Sequence, residues 1–327
     1  MEDINIRARE FGYANARLRA ARTQFVDSAT MNAMCDVATV DAMLELMLNT
    51  AYAEHIEALR TRYGGTMLVA RALMERMGRK IAQIEGMVHN KRKLPLLYVA
   101  IGKIEVYNLK LLFLEAMKGG DFTYDYVPAG AISGRRLERL RAVKDIELLK
   151  RIVTEMGYTI SSNSQEYAHI VDDIERAYYR RIAELKRLCE DEPEVRIYIE
   201  KIIDYKNFDL ALRAHKFGWN VTYISGGSVP LDKVKKASSE GIDAIVRLFG
   251  VGDIYDKSKG DLSWMEELYE RKLMLWIMKA GNSNPFSMAG IIGFINRLDI
   301  ERRNLRSIAV SKGVLKPEEI KPRLIMI

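Results

Sequence analysis

The chain has 327 residues, 48% of them hydrophobic and 29% charged, with 51 Lys and Arg against 44 Asp and Glu. These values exclude a disordered chain and exceed the usual size of a single compact core, so about two or three packed units are expected. A net charge of +7 over this length is too dilute to single out a nucleic acid, an anionic membrane or an acidic protein as partner. Aromatic residues are not interleaved with the basic ones as a single-strand nucleic-acid groove requires.

Helix-forming residues recur throughout, Pro is scarce and Gly falls mostly between periodic segments, which predicts an all-α fold. Met1-Glu2-Asp3 is acidic and lacks the apolar stretch of a signal peptide. Ile4, Phe11, Ala14, Leu18, Ala21 and Phe25 follow a three/four spacing and predict an amphipathic N-terminal helix. Val40, Leu44, Leu48 and Tyr52 then predict a helix from Val37 to Glu57, followed by one from Thr66 to Val88 and one from Leu96 to Lys118. Apolar runs such as Leu94–Ile101 and Ala289–Ile295 fall well short of the ~20 residues of a spanning helix, so a peripheral membrane contact is the most the sequence allows.

Beyond these helices the chain repeats itself. Ile104-Glu105-Val-Tyr-Asn108-Leu, Ile203-Asp204-Tyr-Lys-Asn207-Phe and Ile300-Glu301-Arg-Arg-Asn304-Leu share one pattern, with the asparagines 99 and 97 residues apart. Other landmarks keep the same order. The Glu-Arg pairs at 75–76, 175–176 and 270–271 precede each asparagine, as do Tyr52, Tyr158 and Tyr255 further upstream and Pro95, Pro193 and Pro285 close by. Gly119, Gly218 and Gly313 follow it as helix stops. The reading is a triplicated helical domain of about four helices per copy. The loop from Gly119 to Gly130 and the segment Ile224–Pro230 place the boundaries at 1–124 (N-terminal helix plus repeat one), 125–222 (repeat two) and 223–327 (repeat three).

An acid at i and an Asn at i+3 share a helix face. Glu105/Asn108, Asp204/Asn207 and Glu301/Asn304 therefore form either a polar site repeated three times or a brace that hydrogen-bonds neighbouring backbone and defines the packing. Catalytic candidates are lacking. There is no phosphate-binding G-x-x-x-x-G-K-[S/T] loop, and the Gly-Gly pairs at 119–120 and 226–227 read as turns between repeats. His55, His89, His169 and His215 are scattered without metal-ligand spacing, and Cys35 and Cys189 read as free thiols in a reducing compartment. No catalytic residue, cofactor or metal site is predicted.

Arg135 and Arg136, with Arg139 and Arg141, open the first helix of repeat two, and Lys233, Lys235 and Lys236 occupy the matching place in repeat three. Repeat one has Thr30 there. These clusters are either contacts for acidic loops or anionic lipid, or ordinary solvated helix faces. Further basic residues lie on the N-terminal helix (Arg7, Arg9, Arg17, Arg19, Arg22) and at Lys91-Arg92-Lys93.

The opening Tyr13-Ala-Asn-Ala-Arg17-Leu-Arg-Ala20, the segments Glu105–Lys110 and Glu301–Arg306, and the tail Gly313-Val-Leu-Lys-Pro-Glu-Glu-Ile320 resemble the C subunit of A/V-type ATP synthases, equivalent to the d subunit of vacuolar ATPases. The resemblance implies a funnel-shaped socket of three helical repeats with pseudo-three-fold symmetry. That socket would sit, in a single copy, on the cytoplasmic face of a membrane proteolipid ring. It would receive the end of a coiled-coil shaft subunit and its companion stalk subunit, turn with the ring and hydrolyse nothing itself. One departure is the Phe208-Asp209 pair, where the other copies have Leu-Lys and Leu-Arg, a charge reversal at what reads as a repeated surface position. Triplication alone would also suit an α-helical adaptor with no rotary role.

Overall fold

The computed structural model describes residues 11–120, 126–132, 134–161 and 165–326. Ile4, Arg7 and Arg9 lie outside them. Among the described residues the secondary structure is helical, without strands. The N-terminal helix is α1 (Tyr13–Ala20). Repeat one contributes α2 (Ser28–Asp36), α3 (Val40–Met47), α4 (Ala53–Leu59), α5 (Gly65–Met87) and α6 (Tyr98–Lys118). Repeat two contributes α7 (Gly134–Ala142), α8 (Ile146–Glu155), α9 (Tyr167–Glu184) and α10 (Pro193–Phe217). Repeat three contributes α11 (Leu231–Glu240), α12 (Ile242–Phe249), α13 (Gly252–Ser258), α14 (Leu262–Ser283) and α15 (Met288–Ser311), and the short α16 (Pro317–Ile320) leads into the tail.

Local chemistry explains several helix ends. Asp27, Thr39, Asp145, Asp261 and Ser287 each cap a helix by accepting a backbone N–H from its first turn. Gly119 and Gly218 close α6 and α10 with φ of 73° and 67°, a conformation that costs any other residue more. The helix expected from Val37 to Glu57 is instead broken between Met47 and Ala53. There the Thr50 hydroxyl donates to the Met47 carbonyl at 2.6 Å and accepts the Tyr52 N–H at 3.2 Å, drawing backbone groups away from the helical ladder. The break swings Tyr52 into the interior, where it is 1% exposed.

The three long helices that carry the asparagines, α6, α10 and α15, are the spine. Each packs against the Glu-Arg helix of the repeat that follows it: α6 against α9, α10 against α14, and α15 back against α5 of repeat one. Each also covers the first helices of that next repeat, α6 those of repeat two, α10 those of repeat three, and α15 the helix α2 of repeat one. The hydrophobic core follows the same offset: Met34, Met43, Met47, Tyr52 and Leu73 of repeat one share a cluster with Leu305, Ile308 and Ile320 of repeat three. The packing units are therefore shifted by one helix from the sequence repeats, and the contacts run one to two, two to three and three to one.

Opposite the glycine stops, the proline-bearing connections that start the three spine helices meet. Lys93 of repeat one reaches Asp191 and donates to the Leu188 carbonyl at 2.7 Å. Glu192 of repeat two accepts the Ser287 hydroxyl at 2.7 Å and the Met288 N–H at 2.9 Å. Asn15 of α1 donates to the Pro285 and Ser287 carbonyls at 2.8 and 3.0 Å, so the N-terminal helix clasps the connection of repeat three.

Candidate functional site

The repeated acid and asparagine occupy one position in each spine helix and face the connection to the next repeat. Asn108 donates to the Val127 carbonyl at 2.7 Å and accepts the Val127 N–H at 2.9 Å. Asn207 makes the same two bonds to Ile224, at 2.8 and 2.7 Å. Asn304 makes them to Ile325 in the C-terminal tail, at 2.9 and 3.2 Å. A side-chain amide carries one donor group and one acceptor in the same arrangement as a peptide, so it satisfies both polar groups of one buried residue where no strand or helix could.

One turn earlier, the acid takes a backbone N–H of the next repeat's entry. Glu105 accepts from Ala131 at 2.6 Å, Asp204 from Ser228 and Val229 at 3.1 Å each, and Glu301 from Val26 at 2.6 Å. In the first two copies Asn and acid grip one continuous connection. In the third the connection is split, the Asn holding the end of the chain and the acid holding a segment near its beginning. The bonding pattern survives the absence of a peptide link between the two.

The close approach of acid to backbone explains two glycines. A Cβ on Gly130 would collide with Glu105 and one on Gly227 with Asp204. Gly227 belongs to the pair read from the sequence as a turn; its missing side chain makes room for the carboxylate.

The upstream tyrosines complete two of the three braces. Tyr158 donates to Glu105 at 2.9 Å and Tyr52 to Glu301 at 2.8 Å. Asp204 is one methylene shorter and accepts the Ser228 hydroxyl instead, while Tyr255 is only half-buried. Glu301 has a further partner in Arg76, whose guanidinium donates to it at 2.8 Å and to the Gln24 carbonyl at 2.8 Å. Burial raises the Glu301 pKa above the usual carboxylate value, against the pull of Arg76 and the two hydrogen bonds. Burial likewise pushes the Tyr52 and Tyr158 hydroxyls well above their ordinary value.

The acids of the Glu-Arg pairs bind the spine through the residue just before the asparagine. Lys206 donates to Glu175 at 2.7 Å, and Arg303 donates to Glu270 through both terminal nitrogens at 2.9 and 2.8 Å. Burial opposes ionisation of Glu175, but Lys206 and Lys110 hold its pKa down to about 2. In repeat one Tyr107 takes the matching place, and its hydroxyl accepts from Arg306 of α15 at 2.6 Å, tying two spine helices together. Asp209 departs from the surface reading. It is 8% exposed and pairs with Arg213 at 2.6 Å and Lys206 at 3.6 Å, so the reversed charge is neutralised locally.

Arg135 and Arg136 on α7, and Lys233, Lys235 and Lys236 on α11, are all exposed, on matching helices whose apolar sides are buried through Leu137 and Leu140 and through Val234 and Ala237. Among the described residues, Lys236 alone of these five has a carboxylate partner, Glu240 at 3.6 Å. Asn15, Tyr52, Tyr158, Arg76 and Glu192 were not expected as braces. The two tyrosines and Arg76 stood out as repeat landmarks, but nothing local indicates which distant acid they meet.

A cleft of 720 Å³ between α9, α10 and α14 is lined by Glu175, Lys206, Asp209, Arg213 and Glu266, among other residues, and these charges already pair with one another. Among the described residues no cluster of three or more His, Cys, Asp or Glu is placed to hold a metal ion, and no helix is long and apolar enough to cross a membrane.

Fold and braces together define an all-helical scaffold in which α6 packs against α9, α10 against α14 and α15 against α5, with an acid and an asparagine of each spine helix bonded to backbone. Residues 14–323 match the family model of the ATP synthase (C/AC39) subunit, and the chain belongs to that family. It is 24% identical to the A-type ATP synthase C subunit of Methanocaldococcus jannaschii, over 96% of this chain and 86% of that protein. The identity is also 24% to the corresponding A-type ATP synthase proteins of Haloquadratum walsbyi (94% and 96% covered) and of Thermoplasma volcanium (94% and 95%).

Proposed function

We propose that this protein is the central-stalk rotor component of an A/V-type ATP synthase or ATPase. It is the socket that joins the membrane proteolipid ring to a coiled-coil shaft subunit and its companion stalk subunit. Its three repeats, over 1–124, 125–222 and 223–327, form a funnel with pseudo-three-fold symmetry on the cytoplasmic face of the membrane, peripheral to it and in one copy. It transmits torque between ring and shaft during ion-driven ATP synthesis or ATP-driven pumping and catalyses nothing itself.

The observation that carries this reading is the closed cycle of contacts. A part that passes torque must not shear between its repeats, and the buried braces at Glu105/Asn108, Asp204/Asn207 and Glu301/Asn304 lock each repeat to the next at backbone level. An adaptor built as an open solenoid leaves its terminal repeats uncovered on one side. Here α15 of repeat three covers α2 and α5 of repeat one, which favours the socket.

Arg135, Arg136, Lys233, Lys235 and Lys236 supply contacts to acidic loops of the ring or to anionic lipid, each worth up to ~1 kcal/mol near a charged membrane surface. The test is reconstitution with purified proteolipid ring. Wild-type attachment weakens as salt rises from about 50 to about 300 mM, because exposed charges are screened beyond a Debye length of about 10 Å. Arg135→Glu with Arg136→Glu weakens it at low salt. Attachment that is equal for wild type and variant at every salt concentration removes these residues from the interface.

A further inference from the structure

The six long helices, α5, α6, α9, α10, α14 and α15, have 18 to 25 residues and span roughly 27–38 Å. The helices α5, α9 and α14 stop at the proline-bearing connections from which α6, α10 and α15 start. One end of the molecule therefore holds the connections. The other holds the starts of α5, α9 and α14 and the stops of the spine helices. The two ends differ in chemistry. At the connections Lys93, Asp191, Glu192, Ser287 and Asn15 bond to one another or to backbone. At the far end large apolar side chains face solvent. Met67 lies on the first turn of α5 and Trp264 on the first turn of α14, with Phe217 and Val310 on the last turns of α10 and α15 and Trp219 and Val314 just beyond them. These are six of the ten large hydrophobic side chains that the described residues leave exposed, at 40 to 78%, and they come from all three repeats. Apolar residues scattered singly need no explanation, but a set gathered at one end marks a docking face.

The 720 Å³ cleft opens at this end. It is lined by α10 from Tyr205 to Arg213 and by Glu266 near the start of α14, with the half-exposed Trp219 at its lip. The Phe217 and Trp219 rings stand 5.3 Å apart. Val171, Tyr179, Tyr205 and Leu210 supply apolar wall. The charges of the cleft are closed, Asp172 by Arg176, Glu175 by Lys206 and Lys110, and Arg213 by Asp209 and Glu266. A charged occupant would find no free counter-charge there. An apolar one finds Trp and Tyr side chains of the kind that dominate binding energies at interfaces.

We propose that the shaft enters at this end and is gripped through apolar contact, with Trp219 as the anchor. The proposal rests on the rotor reading above and adds to it the end, the residues and the chemistry of the contact. A coiled coil buries the apolar residues of each heptad against its partner helix, and at its tip the last apolar layer is covered on one side only. That layer is the occupant that fits the cleft and its rim. The shaft is then held by apolar surface, in contrast to the charged contacts proposed for the ring.

The experiment titrates the immobilised full-length chain with the purified coiled-coil stalk protein of the same membranes. Wild-type binding changes by less than about twofold between about 50 and about 500 mM salt, because apolar contact is not screened. Trp219→Asp weakens it at least about tenfold, and Trp219→Phe restores most of the loss. Ile197→Asp, at an exposed apolar residue near the start of α10 and so at the other end, leaves binding unchanged. All three variants melt with the wild type, since both side chains are largely in solvent. A wild-type chain that binds no stalk protein removes the rotor reading and this proposal with it. A wild-type chain that binds, with Trp219→Asp binding equally well, overturns this proposal alone. Loss of binding in Ile197→Asp instead places the shaft at the connection end, and binding abolished by salt replaces the apolar grip with a charged one; either result overturns the proposal.

Discussion

Tyr52 and Glu301 lie 249 residues apart in the chain, yet the tyrosine hydroxyl donates to the carboxylate at 2.8 Å with both groups buried. The equivalent pair of the first joint, Tyr158 and Glu105, is separated by 53 residues and bonded at 2.9 Å. The same local chemistry thus closes one joint that the chain crosses and one that it does not.

The unlinked joint should be the more sensitive to loss of its acid. Glu301→Ala leaves the Arg76 guanidinium buried without a counter-charge, a loss of about 3–5 kcal/mol. Tyr52→Phe removes one buried hydrogen bond, about 1 kcal/mol. Tyr255→Phe should be close to neutral, since Asp204 uses Ser228 instead of that tyrosine. Urea midpoints of the three variants give the ranking, and a Tyr255 variant as damaging as the Tyr52 variant would contradict it.

Amide hydrogen exchange should distinguish the joints. The N–H groups of Val26 and Ala131 donate to equivalent glutamates, each at 2.6 Å. Only Val26 belongs to a joint that opens without stretching the chain, so it should exchange faster than Ala131. A circular permutant, with a flexible linker joining the present ends and new ends between Gly120 and Tyr126, should fold and reverse that order. Slower exchange at Val26 than at Ala131 in the native chain would contradict the split-joint account.

Two glycines should be intolerant and one tolerant. Gly227→Ala and Gly130→Ala force a Cβ against a brace carboxylate, at a cost of about 1–3 kcal/mol, with added backbone strain at Gly130, whose φ is 71°. Gly86→Ala, in the last turn of α5, meets no atom within 4 Å and should be neutral or stabilising by up to about 1 kcal/mol. Thermal melts of the three variants check this.

Stability should fall on both sides of a mildly acidic optimum. Burial raises the Glu192 pKa from 4.5 to about 7 despite its bonds to Ser287 and Met288, so the folded state binds a proton that the unfolded state has released. Its stabilising contribution is complete below about pH 4.5 and is lost as pH rises through about 7, up to about 3 kcal/mol in all. Glu175 works in the opposite sense. Its pKa is depressed to about 2 in the fold, so its contribution is present above about 4.5 and is lost as pH falls through about 2. Glu192→Gln should flatten the neutral limb and leave the acid limb unchanged. A neutral limb that persists in that variant assigns it to another group.

Much of this architecture is legible in residues that act locally. The helix-forming composition, the stops at Gly119 and Gly218 and the repeated acid/Asn pattern reveal an all-helical chain and its periodicity, because helix chemistry is read within a turn or two. What the pattern cannot carry is the partner of each side chain. Asn304 looks like Asn108, yet it holds a tail rather than a connection. Asp209 looks like a reversed surface charge until Arg213 and Lys206 are seen beside it. Thr50 breaks a helix whose apolar spacing runs straight through it, because the hydroxyl competes for backbone groups that a hydrophobic pattern does not register. The Tyr52–Glu301 closure is a tertiary fact with no local trace, although both residues are visible as landmarks.

A chain that seats a shaft on a membrane ring should hold both of these partners at once. The most direct test is to capture the tagged full-length protein from native membranes solubilised in mild detergent at low salt and to identify the bound polypeptides by mass. Recovery of a small proteolipid from the ring together with a coiled-coil stalk protein is the predicted result. Recovery of soluble proteins alone, with no ring component, would contradict the socket and favour the adaptor.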